Sequence, residues 1–298
     1  MLMKVPGNIH FAILISILVG SCHTGNNPTD TTTAGNVKIA AAKNFENIIE
    51  AQRNTFEAIY TNATINVDYV LSEQLLALLL NDSCKVIVRG SPLSGKEEKV
   101  FSSNNIYPIS TKIADDAVVI IANKNNPLKN MSITSLKQIV EGKEEVEVVL
   151  DNPLSANSTY IKDSLLLGGS FGANVYAMQN EKEVINYISN APSALGIIAL
   201  NHISDKDDRK NDTLLSEIKI LGISEAKGKT AYKPYPAHIK TKQYPLSRSI
   251  YMINRQTRAG LGMGFVSFVA GSKGQLLILK QGLVPSFPPQ RIVEINTN

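Results

Sequence analysis

Apolar positions along the chain switch repeatedly between the alternation of a strand and the three-and-four spacing of a helix, and short polar residues mark each switch. Val37 to Ala40 reads as a strand, after which Phe45, Ile48, Ile49, Gln52, Phe56, Ile59 and Tyr60 recur at helical spacing with Asn44 as the candidate cap. Ile65 to Val70 alternates as a second strand. Ser72 precedes the Leu-rich run Leu75 to Leu80, and Cys84 to Val88 gives a third strand, followed by Arg89. This β-α-β-α-β order predicts an open α/β sheet, whose ligands gather beyond the carboxyl ends of the strands. Asn44, Ser72 and Arg89 stand at three such exits.

Further on, Lys112 to Asn123 starts polar and becomes continuously apolar, which predicts a long strand crossing from one lobe into a second. Thr134 is the candidate cap of a short helix that Gly142 stops. A helix is expected from about Thr159 to Leu166, another over Glu181 to Ser189, and a buried strand after Pro192. Asp205 to Asp212 reads as a charged loop, Leu215 to Leu221 as a strand, and the Tyr- and Pro-rich stretch Ala231 to Pro245 as a stiff connector. Ser249 to Asn254 crosses back, two helical segments around Phe265 and Leu277 close the first lobe, and Arg291 to Ile295 is a final strand. The expected division is residues 36–116 plus 250–298 for lobe 1 and 117–249 for lobe 2.

Between the strand ending at Leu150 and the helix that follows lies Asp151-Asn152-Pro153-Leu154-Ser155-Ala156-Asn157-Ser158-Thr159-Tyr160. A strand exit with hydroxyls and amides at a helix start offers backbone N–H groups to a small anion, although the same residues serve equally as a plain N-cap. Tyr176 reaches either the same crevice or a packed loop.

Composition bears mainly on partners and location. The chain has 298 residues, 43% hydrophobic, enough for a substantial core. A net charge of +4, with no basic run or basic helical face, argues against nucleic acid. Lys4, the apolar stretch Ile9 to Val19 and Val19-Gly20-Ser21-Cys22 follow the order of a signal peptide, and the last four residues resemble a bacterial lipobox with Cys22 as the lipid-bearing residue. The expected order is a signal over residues 1–21, a flexible tether over 22–35, then the folded body. Cys84 would be the one cysteine left in that body, read as a buried side chain.

The chain resembles the phosphate-binding, PstS-like proteins of ABC importers, which have the type II periplasmic-binding-protein fold, in a lipoprotein form like those of Bacteroidetes. The resemblance spans roughly Val37 to Ile295. It rests on Lys112 to Asn123 with Asn126-Pro127, the segment Ile133 to Gly142, Ala194-Leu195-Gly196, Tyr244-Pro245-Leu246-Ser247-Arg248, and Gly274-Gln275 with Gly282-Leu283-Val284-Pro285. It implies two α/β lobes joined by two crossing strands, and capture of phosphate or a similar oxyanion for an inner-membrane ABC permease. The protein would be a monomer, lipid-anchored in the cell envelope and facing the periplasm. A sensor or adhesion module reusing the fold, or a binder of another small polar solute, are the alternatives.

Carried over by position, the ligand-binding residues implied are Lys43, Asn44, Phe45, Ser72, Arg89, Ser155, Asn157 and Ser158, with Lys85, Asp116, Asp151 and Tyr176 around them. Two departures from the family pattern bear on the chemistry. Lys85 falls where the family has an Asp that accepts a proton from hydrogen phosphate, and Asp151 where it has an Arg. Arg89 is the candidate replacement for that Arg, since its planar donors suit a phosphate edge, and Asp151 is expected to pair with Lys85 or Arg89.

No enzyme is expected. The chain has no G-x-S-x-G elbow, and Gly90 to Lys96 lacks the phosphate-loop spacing. His202 and His238 do not form a metal set, no cofactor is implied, and adjacent Asp115 and Asp116 point to opposite faces of a strand.

Overall fold

The first strand, β1 (Gly35–Ala42), is buried along its exit half and lies between two parallel neighbours, β2 (Ala63–Val70) and β3 (Val86–Arg89). The computed structural model describes residues 30–204 and 216–288. The lipobox with Cys22, the loop at 205–212 and the strand expected at 291–295 lie outside them. Asp30 to Ala34, expected to belong to the tether, are largely exposed but tied to the body: the Asp30 carboxylate accepts from the Leu261 N–H at 2.8 Å, satisfying an open donor of the helix starting there.

The sheet runs β2-β1-β3-β11 (Ser247–Asn254)-β4 (Ile109–Asn123)-β8 (Leu195–Ala199)-β6 (Val148–Leu150)-β7 (Val175–Ala177), with β9 (Ile218–Ile220) and β12 (Val284–Pro285) also paired to β4, while β5 (Asn130–Ser132) and β10 (Gly222–Ser224) pair separately. At its centre, β4 (Ile109–Asn123) pairs antiparallel with β11 (Ser247–Asn254) along its first part. Its second part, from Val118, pairs antiparallel with β8 (Leu195–Ala199). The apolar run Ala117 to Ala122 is fully buried, as its composition predicts. Beyond β8 lie β6 (Val148–Leu150) and β7 (Val175–Ala177), parallel to it and to each other in that order. A mixed α/β sheet results, curled into two halves that share β4.

Helices cover these strands as the periodicity requires. In α1 (Glu46–Ile59), Ile48, Ile49, Gln52 and Phe56 are buried, while Ile59 at the end is 39% exposed. The short α2 (Leu75–Leu80) buries Leu75 and Leu79, and α3 (Gly95–Ser103) opens on a capping box between Ser94 and Glu97. For α4 (Ile133–Val140) the cap is Ser132 rather than Thr134, through Ser135 N–H to Ser132 Oγ at 3.1 Å. That helix ends at Gly142, whose φ of +76° suits a residue without Cβ, with Lys143 N–H bonded to the Gln138 carbonyl.

In the second half, α5 (Ala156–Ser164) begins three residues before the expected Thr159, and α6 (Glu181–Asn190) is capped by Asn180. After a five-residue α7 (Pro236–Lys240) and β11, helices α8 (Leu261–Ala270) and α9 (Ser272–Lys280) return to the first half, where Phe265 meets Phe56 edge-on. Each fully buried Ile, Leu or Phe in these layers is worth about 1.5–3 kcal/mol over an exposed one. Cys84 is buried, and burial above all pushes its thiol up to about 11, so it is an inert packing group.

Candidate functional site

Register places the exits of the first half together: Ala42 lies opposite Val70, and Ala41 opposite Val88. Lys43–Phe45 is a single 3-10 turn, Ser72 begins another, and Arg89 closes β3. From the other half, Asp151 follows β6 and Ser155 caps α5. These two sets of exits face each other across a crevice.

Asn44 makes the contact between them. Its Nδ2 donates to Asp151 Oδ2 at 2.7 Å, and its Oδ1 accepts from the Ala156 N–H at 2.9 Å. The expected helix cap is therefore wrong: Asn44 caps nothing in α1, and its side chain spans to the other half instead. Ala156 is the first residue of α5, where backbone N–H groups have no intrahelical acceptor and the helix dipole favours an electronegative atom. Asp151 also accepts from Ser155 Oγ at 2.8 Å. All four residues are buried. Burial, then the charge of Glu181, raises the Asp151 carboxyl above its ordinary range, against the lowering effect of Asn44 and Ser155.

Behind this junction Glu181 is fully enclosed, bonded to His202, to Asn157 Nδ2 at 2.6 Å and to the Ala199 N–H at 2.6 Å. Burial opposes its charge, but His202 and these donors outweigh it and lower its pKa. His202 is raised correspondingly: burial opposes protonation, and Glu181, Asp116 and Asp151 together overcome it.

Two cavities open on the crevice, and Ser72 lines both. One, of about 230 Å³, is lined by Lys43, Asn44, Asp151, Ser155, Lys182 and His202 among others. The other, of about 620 Å³, is lined by residues including Arg89, Glu97, Ala156, Tyr160 and Arg248. The Ser72 hydroxyl is buried without a hydrogen-bond partner.

Several expected roles change. Asn157 and Ser158 are fully buried with their polar ends turned inward, Asn157 on Glu181 and Ser158 Oγ on the Asn152 carbonyl at 2.5 Å. Lys85 sits at the entry end of β3, opposite the exits, and pairs with Asp82 at 2.8 Å. Asp151 pairs with neither Lys85 nor Arg89. Arg89 is held by Glu97 at 2.9 Å, so its charge is already met. Lys43 is exposed and paired with Glu46 at 2.7 Å, while Tyr176 is 52% exposed on the edge strand β7 and lines neither cavity.

Phe45 and Asp116 belong to a different arrangement. Asp116 in β4 lies opposite Arg248 in β11, and the guanidinium bonds it through Nη2 at 2.9 Å and Nε at 3.2 Å. The Arg248 guanidinium lies 4.9 Å from the centre of the Phe45 ring. Charge pairing at the crossing strands thus supports the floor beneath the Asn44 turn.

The family described as a PBP superfamily domain matches residues 26–273. The chain belongs to that superfamily. The phosphate-binding protein PstS of Pseudomonas aeruginosa is 19% identical, over 88% of this chain and 85% of its own length. PstS of Staphylococcus saprophyticus is 24% identical, over 89% and 85%. An ABC-type phosphate transport receptor from Vibrio cholerae has the same fold, with a TM-score of 0.67 at 16% identity, over 83% of this chain and 99% of that one. For this PBP-superfamily chain, sequence reasoning missed Arg248 and His202 as parts of the site's support. The adjacent Asp115 and Asp116 in the buried strand β4 and a single Arg in the strand that returns beside it were the available signal, because buried charges are paired. No comparable signal marked the partner of Asn44, which is 107 positions away.

Proposed function

We propose that this protein captures inorganic phosphate, or an oxyanion of similar size, between its two halves and delivers it to an ABC permease. In this reading Cys22 carries the lipid that holds the protein at a periplasm-facing membrane, and residues 36–116 with 250–298 move as one lobe against 117–249. The observation that carries the proposal is the meeting of the α5 N-terminus with the β1 exit across a buried polar crevice, where the free Ser72 hydroxyl also lies. Amide donors at a helix start suit an anion, and donors from both halves would make closure and capture one event. Asp151 favours phosphate within this class, because a carboxylate only accepts, and hydrogen phosphate has a proton to give where sulfate has none.

The PstS relatives are phosphate-binding proteins by name and match along most of the chain, which supports the same ligand class. Calorimetry of the detergent-solubilised full chain with phosphate, arsenate and sulfate tests it. Phosphate and arsenate are expected to bind, sulfate at least about tenfold more weakly, and Ser72→Ala to weaken phosphate by about tenfold or more. Phosphate binding indifferent to Ser72→Ala would remove the site, and no binding of any oxyanion would remove the ligand class.

A further inference from the structure

A side chain of the first half bridges the crevice to the second. Asn44 presents an acceptor oxygen to the Ala156 N–H at 2.9 Å and a donor to Asp151 at 2.7 Å, and it is 3% exposed. The donor it occupies is the one at the start of α5, the backbone group best placed for an anion entering between the halves. We infer that Asn44 determines what the crevice accepts by acting as a tethered stand-in for the anion: its carboxamide closes the halves, and a free oxyanion binds only by displacing it.

Three observations support this over a role for Asn44 as a direct ligand. Both polar ends of its carboxamide are engaged by the opposite half, the oxygen on the Ala156 N–H that an anion would need and the nitrogen on Asp151. Ser155 and Ser158, the hydroxyls nearest the same helix start, are bonded within their own loop, so the α5 terminus has no slack hydroxyl with which to hold an anion beside Asn44. Ser72, on the first half, keeps a buried hydroxyl without a partner, a donor left over for whatever replaces the amide. The exchange is balanced in hydrogen bonds: the anion takes the Ala156 N–H from Asn44 Oδ1, and a protonated oxyanion donates to Asp151 in place of Asn44 Nδ2.

The inference rests on the capture reading for its ligand, but its test does not. Binding that must break an internal bridge is weakened by the fraction of molecules held closed by that bridge. Asn44→Ala and Asn44→Ser are compared with the unaltered full chain by calorimetry against phosphate, and by small-angle X-ray scattering with and without it. The unaltered protein should show the compact radius of gyration without anion and change little on adding it. Both variants should be larger without anion, contract with phosphate, and bind it about tenfold or more tightly. Weaker phosphate binding in the variants would make Asn44 a direct ligand and overturn the inference. So would an unaltered protein that is expanded alone and contracts on phosphate, a measurement that needs no variant. If nothing binds phosphate, the ligand assignment fails, and the scattering of Asn44→Ser against the unaltered chain alone decides whether Asn44 holds the halves together.

Discussion

Among the polar joints between the halves of this protein, two differ in kind. At the crossing strands Asp116 and Arg248 form an ion pair with 0% and 1% side-chain exposure, between neighbours in a ladder that does not separate. At the crevice the joint is a neutral carboxamide, Asn44, between a carboxylate and one N–H. Separating an enclosed ion pair strands two charges, whereas withdrawing an amide leaves groups that water or a ligand can satisfy. An ion pair therefore ties the halves at the crossing strands, and an uncharged side chain bridges them at the crevice.

The largest effect is expected at the fixed joint. Asp116→Ala leaves the Arg248 guanidinium buried and unpaired, which should cost roughly 3–5 kcal/mol in urea unfolding. Replacing both partners together, Asp116→Leu with Arg248→Met, should cost much less. Equal losses in the single and double variants would mean that packing, not charge, makes this joint.

A smaller effect is expected from the pair that backs the crevice. His202 is raised above its ordinary 6.5, so its contribution is complete below that value and is lost as pH rises through the raised one. Glu181 is lowered from 4.5, so its contribution is complete above 4.5 and is lost as pH falls through the lowered value. Stability should therefore be greatest between those limits and decline on the alkaline side. Glu181→Gln should flatten that decline and cost about 2 kcal/mol near neutral pH, read from melting temperature across a pH series. An unchanged alkaline slope would remove His202 from the account.

The smallest change concerns selectivity. Asp151→Asn exchanges an acceptor-only group for one that can also donate, and it removes a carboxylate whose ionisation burial disfavours. Sulfate affinity should rise by about tenfold relative to phosphate, with little loss of stability. Competition calorimetry measures the ratio, and an unchanged ratio would sever Asp151 from ligand choice.

Local pattern carried much of the architecture. Ile48, Ile49 and Phe56 at helical spacing, and the unbroken apolar run of β4, were readable because burial imposes its period on the sequence. Helix starts were less so: Ser132 and Ser155 cap α4 and α5, each a short polar residue among several equivalent ones. The strand exits named Asn44, Ser72 and Ser155 as neighbours, yet not what each side chain does there. A buried amide chooses among partners set by tertiary approach, so Asn157 turned to Glu181 and Asn44 to Asp151 for reasons no local window contains. Lys85 was placed at the site only by carrying a family position over to it, whereas β3 runs from Val86 to Arg89 and leaves Lys85 at the end away from the crevice.

The sharing of β4 has a consequence for how separable the halves are. One continuous peptide supplies the ladder partner of β11 and then of β8, so neither half owns a complete sheet. Cut apart, each would expose a raw apolar edge seeking a new strand, the condition under which chains aggregate. The two halves are not modules of inheritance: neither could be transplanted, expressed alone or exchanged without taking its share of that one ribbon with it.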